Sequence, residues 1–161
     1  MVLKIAVLWL LIFASVWLHF AAMVLLFLRL KAIWVTIEHT KNLLAIAWLL
    51  FRVFNLLVLV HVGDVLLWAC FYRWKELFSD FPQAFYFSIS AYTTLLTGDV
   101  ALPQAWRLFG RLEAMVGLLM FGWSSGFIFA VVNRIYVGYM KLSAAETSSF
   151  PVRVVSNASG T

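Results

Sequence analysis

Three long apolar stretches dominate the pattern of hydrophobic and polar positions along the chain. The first covers residues 5–28 without a formal charge and contains His19, the second covers residues 43–72, and the last, residues 114–133, again carries no charge. A helix needs about 20 mainly apolar residues to cross the hydrocarbon core of a bilayer, and each stretch has that length. The pattern therefore predicts three transmembrane helices, over residues 5–30, 43–73 and 106–135.

A fourth apolar segment, residues 81–93, is too short to cross a membrane. A helix of this length extends about 20 Å, whereas the hydrocarbon core is about 30 Å thick. Asp80 is suited to cap its first turn, Pro82 fits that turn because its missing N–H needs no partner there, and Gln83 takes the position of a capping-box partner. The segment predicts a re-entrant half-helix over residues 81–94, followed by backbone that is buried in protein or lines a watery cavity.

The composition is that of an integral membrane protein. Hydrophobic residues make up 65% of the 161 residues and charged residues 12%, whereas soluble domains carry roughly 45–50% and about 25%. A net charge of +5 fits basic ends near lipid headgroups better than binding to nucleic acid. The single cysteine, Cys70, excludes an internal disulfide and a thiolate metal cluster, and we expect it to be a small buried side chain.

The loop after the half-helix carries the most specific motif of the chain. Residues 93–99 read Thr-Thr-Leu-Leu-Thr-Gly-Asp, which resembles the pore signature Thr-Thr-Val/Leu-Gly-Tyr-Gly-Asp of the small bacterial potassium-channel family. Both threonines, the hydrophobic residue after them, the last glycine and the aspartate are kept. Leu96 stands where the family has its first glycine, and Thr97 stands where it has tyrosine.

The resemblance implies an all-α, tetrameric pore-loop channel, in which the half-helix and a filter loop lie between the second and third transmembrane helices. In such channels, backbone carbonyl groups from four loops replace the water around a dehydrated cation. The resemblance thus implies a homotetramer, K⁺ as the transported ion and no cofactor. By position, the filter residues are Thr94, Leu95, Leu96, Thr97 and Gly98, with Asp99 just outside them.

The two departures from the motif leave two functions open. A residue with a side chain resists the positive φ that family filters need, at a cost of about 1–2 kcal/mol for each copy of Leu96. Thr97 also lacks the aromatic ring that packs behind the family filter. One function is a potassium-channel-like cation pore with poor selectivity for potassium. The other is a non-conducting membrane subunit or adaptor that keeps the pore-loop fold and modulates a partner channel.

Polar residues inside the second stretch form the other candidate site. His61 and Asp64 lie three residues apart on one helix face, so we expect them to pair near the middle of the membrane. A carboxylate at that depth is either part of a functional site or a structural tie between helices, and we expect it to stabilise the assembly. No nucleophile and no set of metal ligands accompanies the pair, so neither an enzyme nor a metal site is expected. His19 is interpreted as a packed or interfacial imidazole.

The last apolar stretch supplies the expected inner helix of the pore. Gly117 and Gly122 are either gating hinges or sites of close helix packing. Residues at three- and four-residue spacing share one face of a helix, so one stripe is expected to line the axis. Its members are Gly117, Met120, Ser124 and Phe127.

These elements divide the chain into three parts. Residues 1–42 form a transmembrane helix with a cytoplasmic linker, residues 43–135 form the pore module, and residues 136–161 form a flexible C-terminal tail rich in Ser, Ala and Thr. Lys and Arg are divided almost evenly between the two ends of the spans, so charge hardly decides the orientation. The resemblance implies a multi-pass protein of the cell (inner) membrane, with its N-terminus outside and its C-terminus in the cytoplasm.

Overall fold

The computed structural model describes residues 2–37, 42–95 and 98–149. These residues form four α-helices and one 3₁₀ turn, and no β-strand occurs among them. The helices are α1 (Val2–Ile37), α2 (Leu43–Trp74), α3 (Phe81–Tyr92) and α4 (Arg107–Ser149), and the 3₁₀ turn covers Gln104–Trp106.

Among the described residues, three segments are long and apolar enough to cross a membrane. The candidate spans are Val2–Lys31 in α1, Leu43–Trp74 in α2 and Gln104–Ala144, which contains most of α4. The predicted all-α membrane fold with three spanning helices is therefore confirmed. The chain is a multi-pass membrane protein.

Two helices are longer than the sequence pattern predicts. α1 continues to Ile37, beyond the expected end at residue 30, and α4 continues to Ser149, beyond the expected end at residue 135. Part of the expected linker and part of the expected flexible tail are therefore helical. The absence of Gly and Pro from residues 2–37 and 139–149 explains this, because no residue there interrupts a helix.

Single side chains cap the first turns of α2 and α3. Asn42 accepts hydrogen bonds from the amides of Leu44 and Ala45 at 3.0 and 3.4 Å, and Asp80 accepts one from the amide of Gln83 at 2.8 Å. The predicted cap of the half-helix is thus confirmed. The Gln83 side chain, however, accepts a hydrogen bond from the Ser79 hydroxyl at 3.3 Å.

α3 runs back along α2 and stops beside the central part of that helix. The Ser88 hydroxyl lies 2.9 Å from the Val65 carbonyl oxygen, and the Tyr92 hydroxyl lies 3.1 Å from Asp64 Oδ2. The chain then returns, because Leu102 is buried in the same cluster as Phe71 near the end of α2. The half-helix and its loop therefore enter and leave on one side of the bundle.

α1 lies antiparallel to α2. Lys4, near the start of α1, places its ammonium group 4.4 Å from the centre of the Trp106 ring. At the opposite end of the bundle, Leu30 of α1 is buried with Leu49 and Val53 of α2. The start of α1 is therefore on the same side as the loop after α3. The Cys70 side chain is exposed on α2 and not buried as expected.

Candidate functional site

The loop after α3 begins with a left-handed turn at a filter residue. Thr93 follows the last residue of α3 as its C-cap, and its hydroxyl donates to the Ile89 carbonyl at 2.7 Å. Thr94 has a φ of +65°, and its amide donates to the Ala91 carbonyl at 2.9 Å. Left-handed backbone costs a residue with a side chain about 1–2 kcal/mol, and a β-branched residue rarely adopts it. The first residue of the expected filter is thus held in a strained conformation.

The far end of the loop is tied back to α3. Gly98 has a φ of +86°, and the next residue, Asp99, accepts a hydrogen bond from the Tyr86 hydroxyl at 2.8 Å. Leu95 is 68% exposed. The two expected filter residues that depart from the family motif, Leu96 and Thr97, lie outside the described residues.

The negative end of α3 lies inside the membrane-spanning bundle. The last carbonyl groups of a helix carry a partial negative charge, equivalent to about half an elementary charge. Tyr92, the last residue of α3, contacts His61 and Asp64 in the central part of α2. The geometry therefore places a weak cation-attracting field at that depth, next to Thr93 and Thr94.

Asp64 is the centre of a buried polar network. Its carboxylate accepts hydrogen bonds from the Ser15 hydroxyl at 2.8 Å and from the Tyr92 hydroxyl at 3.1 Å. His19 Nδ1 lies 3.1 Å from the same carboxylate, and Ser15, His19 and Asp64 have no exposed surface. A carboxylate in a membrane needs such partners, because without them its burial is costly.

The network joins all four helices. His19 Nε2 lies 3.0 Å from the Ser124 hydroxyl of α4, and His61 Nδ1 lies 3.0 Å from the Tyr92 hydroxyl. His61 and Asp64, which were expected to pair, therefore meet through Tyr92. The sequence interpretation of His19 as a packed imidazole missed its partners. The signal was present in the four-residue spacing of Ser15 and His19, which places two polar groups on one face of an apolar helix.

A second buried network surrounds Glu113, which the sequence analysis did not select. Its carboxyl group contacts the Tyr72 hydroxyl at 2.7 Å and the Ser88 hydroxyl. The Ser88 hydroxyl also lies 2.9 Å from the Val65 carbonyl oxygen, and it has one proton for two acceptors. If Glu113 is a neutral carboxylic acid, it donates to Ser88 and every group is satisfied. Hydrogen-bond counting therefore favours the protonated form of this buried residue.

Gly117 lies where α4 passes the end of α3. A Cβ atom at this position would overlap the Tyr92 carbonyl oxygen and lie 3.0 Å from the carbonyl carbon. Of the two readings of this glycine, the geometry supports close helix packing. Gly122, the other predicted hinge, has open space around it.

The stripe predicted to line the pore instead faces the inside of the protomer. Met120 and Ser124 are each 4% exposed, Gly117 is buried and Phe127 packs against a cluster formed by α1, α2 and α4. The spacing correctly placed these residues on one face, but α1, α2 and α3 already cover that face. The exposed face of α4 is a different one. It includes Leu118, Gly122, Ser125 and Phe129.

A half-helix and loop held between two spanning helices is the architecture of a pore-loop channel. Residues 56–134, just under half of the chain, match the model of a protein family described as Ion channel. This match begins within α2, contains α3 and the loop, and ends within α4, so this part of the chain is similar to the ion channel family. No significant match was found among curated proteins or among solved structures.

Proposed function

We propose that the chain forms a potassium-channel-like pore through which monovalent cations cross the membrane passively. The observation that carries the proposal is α3, a half-helix whose negative end stops at mid-bundle beside the pair Thr93 and Thr94. This half-helix lies inside the region that matches the ion channel family. K⁺ is the proposed ion, because the motif over residues 93–99 resembles the potassium-channel signature. The proposed role is transport, without catalysis or a cofactor for conduction.

The proposed assembly is a homotetramer in a cell membrane. One copy provides one wall of a filter, so several copies must surround an axis to replace the hydration shell of a cation. The exposed face of α4, which includes Gly122 and Ser125, is the proposed axial surface because the described part of the protomer leaves it uncovered. In the proposed orientation, the N-terminus and the pore loop are outside and the C-terminus is in the cytoplasm.

The filter is proposed to discriminate poorly between K⁺ and Na⁺. Leu96 replaces the glycine that gives the family filter its positive φ, and Thr97 replaces the tyrosine behind it. Thr94 already has left-handed backbone, so a second residue with a side chain in that conformation would add about 1–2 kcal/mol per copy. A relaxed loop with fewer ordered carbonyl rings avoids this cost. Such a loop gives a wider, less selective pathway.

A non-conducting subunit is the second candidate function, and Leu96 is the residue that favours it. Four leucine side chains near an axis are apolar, and an apolar constriction excludes water and ions. In this case the chain would keep the pore-loop fold and act through a partner channel.

Ion flux in liposomes tests the proposal directly. The purified protein is reconstituted, and uptake of K⁺ and Na⁺ is measured separately against liposomes that lack protein. We expect uptake of both ions by the unmodified protein. The double variant Leu96→Gly with Thr97→Tyr restores the family motif and should gain selectivity for K⁺, and Leu96→Gly alone should gain less.

Three results separate the candidates. Selectivity for K⁺ in the unmodified protein would overturn the argument about the filter but not the pore. Silence in the unmodified protein with flux in the double variant would support the non-conducting subunit. If neither the unmodified protein nor the double variant gives ion flux, and native mass spectrometry finds a monomer or dimer, the tetrameric pore is overturned.

A further inference from the structure

Two imidazoles and a carboxylate meet at one point inside the helix bundle. One ligand atom each of His19, His61 and Asp64 can be chosen so that all three lie within 4.8 Å of one another. His19 comes from α1, and His61 and Asp64 come from α2. Imidazole nitrogen and carboxylate oxygen are common ligands of Zn²⁺ and of related divalent transition metals. We propose that these three residues form a binding site for a divalent transition metal ion, and Zn²⁺ is the probe for it.

In two of the proposed ligands, the polar atom that faces away from the metal position is hydrogen-bonded, as it is in known metal sites. Ligating histidines and carboxylates usually hydrogen-bond through the atom that does not bind the metal. Here His19 Nε2 lies 3.0 Å from the Ser124 hydroxyl, and Asp64 Oδ1 accepts from the Ser15 hydroxyl at 2.8 Å. His19 Nδ1 and Asp64 Oδ2 are left facing each other at 3.1 Å. Two serines from different helices thus orient both groups toward a common point.

The distances suit a small tetrahedral ion after a modest contraction. With metal–ligand bonds of about 2.0–2.2 Å, the ligand atoms of a tetrahedral site lie about 3.2–3.6 Å apart. The pair formed by His19 and Asp64 is already close to that separation. The most distant pair, at up to 4.8 Å, needs to close by about 1 Å, which rotation of the His61 side chain can supply.

Tyr92 occupies the position of a fourth ligand. Its hydroxyl oxygen lies 3.1 Å from Asp64 Oδ2 and 3.0 Å from His61 Nδ1. Its oxygen can complete a four-coordinate site beside the two imidazoles and the carboxylate, the coordination number that Zn²⁺ has in most structural sites. The Asp64 carboxylate supplies negative charge to the ion there.

The site would connect α1 to the region that matches the ion channel family. α1 lies outside the matched residues 56–134, whereas Tyr92 ends the half-helix two residues before Thr94. A metal bound by His19, Asp64 and Tyr92 would therefore clamp α1 against the end of the half-helix. Binding is measured without reference to conduction, so it can be tested even if the proposed function is wrong.

Equilibrium dialysis of the 161-residue chain in detergent tests the site. The protein is treated with chelator, the chelator is removed, and bound zinc is measured by elemental analysis across a range of free Zn²⁺. We expect about one zinc per chain, and we expect Co²⁺ in its place to give the visible absorption of a tetrahedral cobalt centre. Ser124→Ala removes the hydrogen-bond partner of His19 Nε2. It should lower the affinity for zinc by roughly 10–100-fold, as the loss of such a partner does at other metal sites.

The third histidine of the chain provides the matched control. His39→Gln removes an imidazole outside the described residues and should bind zinc as the unmodified protein does. His19→Gln and His61→Gln should each lose the high-affinity zinc and the cobalt spectrum. If His19→Gln does not fold, His61→Gln decides, because His61 is half-buried and glutamine can still bond to Tyr92. Equal zinc binding by the unmodified protein and His61→Gln, or none by either, would overturn the proposal.

Discussion

Gly117 offers the sharpest test of how the half-helix is held, because alanine there adds one carbon atom against rigid backbone. The new Cβ would overlap the Tyr92 carbonyl oxygen, and neither helix has a side chain whose rotation relieves the contact. Overpacking a buried position costs typically 1–3 kcal/mol. For a chain of this size, each kcal/mol corresponds to roughly 2–4 °C in melting temperature. We therefore expect Gly117→Ala to lower the apparent melting temperature by several degrees.

Gly122→Ala is the matched control on the same helix. Its Cβ would meet no atom of the described residues within 4 Å, and alanine is favoured over glycine in a helix by about 1 kcal/mol. Gly122→Ala should therefore melt at or above the temperature of the unmodified protein. The measurement is tryptophan fluorescence against temperature in one detergent at one heating rate, because the apparent value depends on that rate. Equal melting temperatures for the two variants would refute the packing at Gly117.

Two further predictions concern a buried carboxyl group and an exposed turn. If Glu113 is a neutral acid that donates to Ser88, Glu113→Gln should keep most of the thermal stability, because its amide donates to the same hydroxyl. Glu113→Ala, which removes the acceptor of the buried Tyr72 hydroxyl, should lower the stability by about 1–3 kcal/mol; equal losses in both variants would contradict the neutral form. Glu76 follows the C-cap residue of α2 and has a φ of +54°, so Glu76→Gly should raise the stability by about 1 kcal/mol. Lys75→Gly, at a φ of −82°, should not raise it, and a similar gain in both would count against relief of strain.

The sequence predicted the elements of the fold but not the contacts between them. The lengths of the apolar runs defined three spans, and Asp80 with Pro82 placed the start of the half-helix at residue 81, where α3 begins. Both signals are local, so they can be read from neighbouring residues. The bond between His19 and Asp64 joins residues 45 positions apart. No local pattern in α1 identifies that partner.

Which face of α4 points into the protomer could not be predicted, for a related reason. Helical spacing grouped Met120 and Ser124 correctly, but the helix is apolar around much of its circumference. In a membrane, a polar residue such as Ser124 marks either a watery surface or a contact with another helix. Its partner is His19 on α1, and the first apolar run was interpreted as a separate helix with no part in the pore module.

Asp64 also bears on how the protein is inserted during its synthesis. A charged aspartate near the centre of a single helix opposes insertion into a bilayer by about 2.5–3.5 kcal/mol. Ser15 and His19, which satisfy that carboxylate, belong to α1, the helix that leaves the ribosome before α2. α1 is therefore available as an intramolecular partner when α2 reaches the membrane, and the two helices are expected to integrate as a hairpin. Tyr92, which is made later, completes the set of hydrogen bonds after the hairpin is in place.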